Sequence, residues 1–108
     1  MKILILGAGQ VGSTLAKYLC SDDDNDITIV DQKEEMLTPL QRHLDIKTVI
    51  GYGAYPSVLE KAGIKSMDVV IAVMRSDERN MVACRMAHTL YNVKKKIARI
   101  RTTEYLVR

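Results

Sequence analysis

The sequence predicts an open, doubly wound α/β sheet of parallel strands, and three observations carry that reading. Short runs of Val, Ile and Leu alternate with helix-period segments along all 108 residues, the pattern of strands covered on both faces. A glycine triad, Gly7, Gly9 and Gly12, separates the first apolar run from the first helical segment. An acid, Asp31, closes the second apolar run.

Each element has its own justification. Strands are expected at Lys2–Leu6, Ile27–Val30, Lys47–Ile50, Val69–Val73 and Ile97–Ile100. Gln10 to Leu19 carries Val11, Leu15 and Leu19 at spacings of four, one face of a helix. Met36, Leu37, Leu40 and Leu44 mark a second helix. Pro56 to Ala62 is a short third one, with Pro56 suited to the first turn and Gly63 to the C-terminal cap. The fourth runs from Asp77 to about Tyr91, with Met81, Cys84, Met86, Ala87 and Leu90 as its buried positions and Ser76 or Asp77 as its cap. Right-handed crossovers then favour strand order 3-2-1-4-5, a Rossmann-like arrangement. Its ligand crevice lies where the winding reverses, at the carboxyl ends of strands one and four. Gly7–Gly12, Asp31, Gly51–Ala54 and Met74–Asp77 should meet at that mouth.

Composition narrows the class. The chain is 47% hydrophobic and 27% charged, as in an ordinary globular domain, and its size suits one domain. No apolar run approaches the roughly 18 residues of a membrane helix, and the short run Ile3–Leu6, followed at once by glycines and polar residues, is not expected to be a secretory signal. The net charge of +3 is modest but unevenly placed. Asp22, Asp23, Asp24 and Asp26 read as a solvated turn, and Lys94, Lys95 and Lys96 as a solvated loop before the last strand. No aromatic residue interleaves with the basic cluster, so nucleic acid is not the expected partner. Cys20 and Cys84 read as free thiols buried on helices, and His43 and His88 are isolated, so no metal site is expected.

The motif at the amino end has definite chemistry. Gly7 permits a tight turn, Gly9 admits a pyrophosphate to the backbone, and Gly12 lets the helix pack closely. The helix start offers free N–H groups to phosphate, and Asp31 can accept hydrogen bonds from ribose hydroxyls. Asp31 repels a 2′-phosphate, which favours NAD(H) over its phosphorylated form, although Lys33 softens that preference. ATP or ADP would use the same features. A catalytic pair is not evident. Asp77 and Glu78 suit a helix start, and His88 lies roughly 16 Å along the fourth helix.

Gly7-Ala-Gly-Gln-Val-Gly12, Ile29-Val-Asp31, Thr48-Val-Ile-Gly51, Ser76-Asp-Glu-Arg-Asn-Met-Val-Ala83 and Lys96-Ile-Ala-Arg-Ile-Arg101 together resemble a known family. They are similar to the N-terminal nucleotide-binding domain (the RCK or KTN module) of Trk-type potassium uptake regulators, along essentially the whole chain. The resemblance implies a cytoplasmic regulator, peripheral to the inner face of the cell membrane, and not an enzyme. It would assemble as a homo-oligomer beneath a potassium translocator without entering the bilayer, and bind NAD(H) or ATP/ADP as a conformational signal. It further implies that Gly7, Ala8, Gly9, Gln10, Val11 and Gly12 wrap the phosphates and Asp31 holds the adenosine ribose. Val73 and Met74 would line the crevice, and Arg99 would face the phosphates from the last strand, unless it is a surface arginine there. The chain, ending at Thr102-Thr-Glu-Tyr-Leu-Val-Arg108, is expected to stop before the crossover helix and C-terminal subdomain of that family.

Three positions depart from the family pattern. Tyr52 replaces an acidic or amide residue after Gly51 and is followed by Gly53; it can stack on adenine but cannot accept from the adenine amino group. Met74 and Arg75 replace small polar residues, and Arg75 either favours a polyphosphate or is simply solvated. Two other readings remain open: the cofactor domain of an NAD-dependent dehydrogenase or epimerase, and a partner-binding module with a vestigial glycine loop.

Overall fold

The computed structural model describes residues 1–106. In chain order they form β1 (Lys2–Leu6), α1 (Gln10–Cys20), β2 (Asp26–Asp31), α2 (Glu34–His43), β3 (Lys47–Ile50), α3 (Pro56–Lys61), β4 (Val69–Ala72), α4 (Asp77–Thr89) and β5 (Lys95–Ala98). Single 3-10 turns occupy Ile64–Ser66 and Thr103–Leu106. The strands form one sheet in the order β3-β2-β1-β4-β5, and every pair is parallel. This is the expected doubly wound Rossmann-like topology.

Side-chain alternation explains why both faces must be covered. Ile3 and Ile5 of β1 pack on one face with Ala16 of α1 and Leu37 and Leu40 of α2. Leu4 and Leu6 point the other way, against Leu59 of α3 and Ala83 and Ala87 of α4. Leu4, Ile5 and Leu6 are wholly excluded from solvent. Burying each such side chain stabilises the fold by about 1.5–3 kcal/mol.

Local signals set the helix boundaries. Ser76 caps α4 by accepting the Arg79 N–H. Pro56 opens α3, and Gly63 leaves it with a left-handed φ of 81°. Asn92, at φ 53°, turns the chain out of α4.

Several expectations change in detail. The last strand is Lys95–Ala98, not Ile97–Ile100. Lys95 and Lys96 therefore belong to the ladder, opposite Val69 and Val70. Charged residues are at home there because β5 is an edge strand with water along its open side. β4 ends at Ala72, although the Val73 N–H still bonds the Leu6 carbonyl at 2.9 Å. The buried stripe of α1 follows Gly12 and Ala16, leaving Val11 exposed and Leu15 and Leu19 half-buried, because close helix–strand approach favours the smallest side chains. On α4 the buried positions are Asp77, Asn80, Ala83 and Ala87; Leu90 is exposed, and Met81 and Met86 are half-buried. Cys20 and Cys84 are free but only half-buried. Beyond β5, the Glu104 N–H bonds Thr102 Oγ1 at the start of the Thr103–Leu106 turn. Val107 and Arg108, the end of the stretch that begins at Thr102, lie outside the described residues.

Candidate functional site

The carboxyl ends of the strands converge on a cleft of about 560 Å³, within the span typical of small-molecule sites. Its amino-terminal wall is the β1–α1 loop. Gly7 has φ 111°, and a Cβ there would lie 2.8 Å from the Val73 carbonyl oxygen. A Cβ on Gly12 would lie 1.8 Å from the Gly7 oxygen, so both positions are glycine for want of room. Gly9 is not short of room: beyond its chain neighbours no atom lies within 4 Å of a Cβ built there, and Gly9 lines the cleft. Gly9 is also the N-cap of α1, with no side chain capping it. The N–H groups of that first turn and the positive end of the helix dipole are therefore left for a ligand.

Asp31, half-buried at the end of β2, braces this loop. Its Oδ2 accepts the Ala8 N–H at 2.8 Å and its Oδ1 the Lys33 N–H at 2.9 Å. An ionised carboxylate offers about four acceptor positions, so capacity remains for hydroxyl donors. Ala8 and Gly12 do not line the cleft. Gly7, Gly9, Gln10, Val11 and Asp31 do, as do Tyr52, Gly53, Val73, Met74, Arg75 and Arg99.

The opposite wall rests on a polar network that sequence reasoning missed. Asn80 is completely buried. Its Oδ1 accepts the Met74 N–H at 2.7 Å, and its Nδ2 donates to the Met74 carbonyl at 3.0 Å and the Arg99 carbonyl at 2.9 Å. One side chain thus joins the β4–α4 turn to the segment leaving β5. The available signal was its spacing: Asn80 lies on the same helical stripe as Ala83 and Ala87. Asp77 does more than favour a helix start. Its two carboxylate oxygens accept the Arg101 and Thr102 N–H groups at 3.0 and 2.9 Å. Those bonds hold its carboxyl below the ordinary range.

Arg99 stands one residue beyond β5 rather than on it, though its N–H continues the ladder to the Ala72 carbonyl. Its Nη2 donates to the Val73 and Met74 carbonyls at 3.1 and 2.9 Å, and its buried Nε has no partner among the described residues. Arg101 donates to the Arg75 carbonyl. Lys33, Arg75, Arg79, Arg99 and Arg101 line the cleft with Asp31 as the one carboxylate, and neither histidine nor cysteine reaches it among the described residues. A wider, open depression of about 690 Å³ lies beyond, between the start of α4 and the segment after β5. Its walls are tied by Asp77 and by Tyr105, which donates to Glu78. That bond raises the phenol's pKa and lowers the carboxyl's.

A glycine loop, an uncapped helix start and a strand-end acid around one crevice define a Rossmann-type nucleotide-binding domain. The chain belongs to the TrkA-N domain family, whose model matches residues 3–107. It is 55% identical over its full length to the Trk system potassium uptake protein TrkA of Halomonas elongata. The chain spans 23% of that relative's length. Among solved structures it resembles the TrkA-N domain of the inner membrane protein ybaL from Escherichia coli, with TM-score 0.86 and 18% identity over 95% of this chain and 75% of that one. It also resembles the AMP-bound form of the Shewanella denitrificans Kef CTD, with TM-score 0.74 and 23% identity over 90% of this chain and 57% of the other. No helix among the described residues is long and apolar enough to cross a membrane.

Proposed function

We propose that this domain binds NAD(H) or an adenine nucleotide, ATP or ADP, as a conformational signal within a potassium uptake system. In that reading it belongs to a cytoplasmic, non-enzymatic regulator that assembles with copies of itself beneath a membrane potassium translocator. The observation that carries the binding reading is the Asp31 carboxylate bonded to the glycine loop beside the uncapped start of α1. Phosphate and ribose recognition would thereby share one hydrogen-bonded unit. The glycine loop would take the phosphates on its N–H groups, Asp31 the ribose hydroxyls, and Arg75 and Arg99 the charge of the phosphate chain. The TrkA relative supports the potassium context. Among the described residues the cleft's one carboxylate is already bonded twice and no histidine stands beside it, which favours a sensor over a dehydrogenase or epimerase.

Calorimetric titration of the chain with NAD, NADH, ATP and ADP tests the reading. At least one should bind more tightly than about millimolar, and Asp31→Ala should weaken it about tenfold or more through lost charge-assisted hydrogen bonds. Failure of all four to bind would end it. Hydride transfer by the full-length protein would instead promote the dehydrogenase reading.

A further inference from the structure

Tyr52 and Arg79 come from opposite sides of the cleft and meet at its rim. Gly51 extends the β2–β3 ladder through its N–H to the Asp31 carbonyl, and the chain then turns, the Tyr55 N–H bonding the Tyr52 carbonyl at 3.0 Å. A Cβ on buried Gly53 would lie 3.1 Å from the Met74 sulfur and 3.3 Å from the Leu6 Cβ. The loop therefore lies flat across the ends of β1 and β4. This brings the Tyr52 ring beneath the Arg79 guanidinium, 4.6 Å from centroid to carbon, while Tyr55 meets the same ring edge-on at 4.7 Å.

Arg79 sits in the first turn of α4, where the helix dipole disfavours a cation. Neither neighbouring acid compensates it. Asp77 is committed to the backbone after β5, and Glu78 to Ser76 and Tyr105. The one ion pair among the described residues is Lys65–Glu60, between α3 and the 3-10 turn that follows it. The guanidinium rests on a π face, and its side-chain N–H donors make no hydrogen bond among the described residues. A guanidinium held over a ring by cation–π attraction keeps its N–H donors free for an anion, and their planar fork suits bidentate phosphate recognition.

We propose that Tyr52 is a positioning residue that holds Arg79 as a fork for the phosphate chain, so that the cleft reads phosphate number. The ligand class is a nucleoside diphosphate or triphosphate. This rests on the nucleotide reading above and adds to it a side-chain pair outside the glycine loop.

Titration of the 108-residue chain with adenosine, AMP, ADP and ATP tests the pair. Arg79→Gln should weaken ADP and ATP about tenfold, the loss expected for one charge-assisted contact, and leave adenosine unchanged. Tyr52→Leu should weaken the same two ligands about two- to fivefold, the span of an exposed cation–π contact, and Tyr52→Phe should match the wild type. Adding Tyr52→Leu to Arg79→Gln should cost nothing further, because the ring acts through the arginine. Equal losses for adenosine and ATP would overturn the inference, as would a Tyr52→Leu effect that persists without Arg79. Wild-type binding that Arg79→Gln leaves unchanged defeats this inference alone; a wild type that binds none of the four defeats the nucleotide reading with it. Arg79 is exposed and Tyr52→Phe is conservative, so both variants report even if Tyr52→Leu does not fold.

Discussion

Asn80 shows how much a single buried amide can decide. Its three hydrogen bonds hold the β4–α4 turn against the start of the segment after β5, so the cleft's arginine-rich wall depends on it. Asn80→Ala leaves the Met74 N–H and two carbonyls without that partner. It should lower stability by about 3 kcal/mol, seen as a lower urea midpoint with unchanged slope. An unchanged midpoint would mean that water replaces the amide at no cost. The glycines were legible because their spacing and the flanking elements form a motif with local geometry. Asn80 was not, because its partners lie six and nineteen residues away and a polar letter on a helix usually faces solvent. Tyr52 was legible only as a departure; its partner Arg79 came from the fold.

Among the elements, α4 carries the most information for its length. It supplies Asp77, Arg79 and Asn80 from its first turns and packs Ala83 and Ala87 against Val70 and Ala72 of β4. The Asp77 clasp gives the segment after β5 a pH dependence of definite sign. Because the folded carboxyl lies below its ordinary value of 3.8, its contribution is complete above 3.8 and is lost as pH falls through the depressed folded value. Asp77→Asn should therefore be less stable than wild type at neutral pH, with the gap closing only once the acid limb of denaturant titrations passes below 3.8. A gap independent of pH would place the bond's strength in geometry rather than charge. The edge strand β5 was misplaced by two residues for an instructive reason. Composition marks Lys95 and Lys96 as solvent-loving, but a ladder bonds backbone rather than side chains, and an edge strand keeps its lysines wet.

At the scale of the whole molecule, the net charge of +3 says little about the local field at the cleft. Five cationic side chains line it with a single carboxylate, while at the other end of the sheet Asp22, Asp23 and Asp24 stand among Lys2, Lys47 and Lys95. Such focusing attracts polyanions and is screened by salt, whose Debye length shrinks from about 10 Å at 0.1 M to about 3 Å at 1 M. ATP affinity should therefore fall more steeply with added salt than NAD affinity, because its phosphate chain carries more charge. Titrations at two ionic strengths check this, and parallel slopes would remove the arginines from phosphate recognition.

Strand order, the winding of helices over both faces and the glycine–Asp31 motif were all readable from the residues. They follow from short-range rules: hydrophobic period, turn chemistry and the handedness of crossovers. Arg99 as a brace for the β4–α4 turn, Asn80 as a hub, Asp77 as a clasp and Arg79 upon Tyr52 came only with the tertiary structure. Each joins residues from different crossovers. Such contacts exist once the sheet has brought the strand ends together, and no local pattern in the chain encodes them.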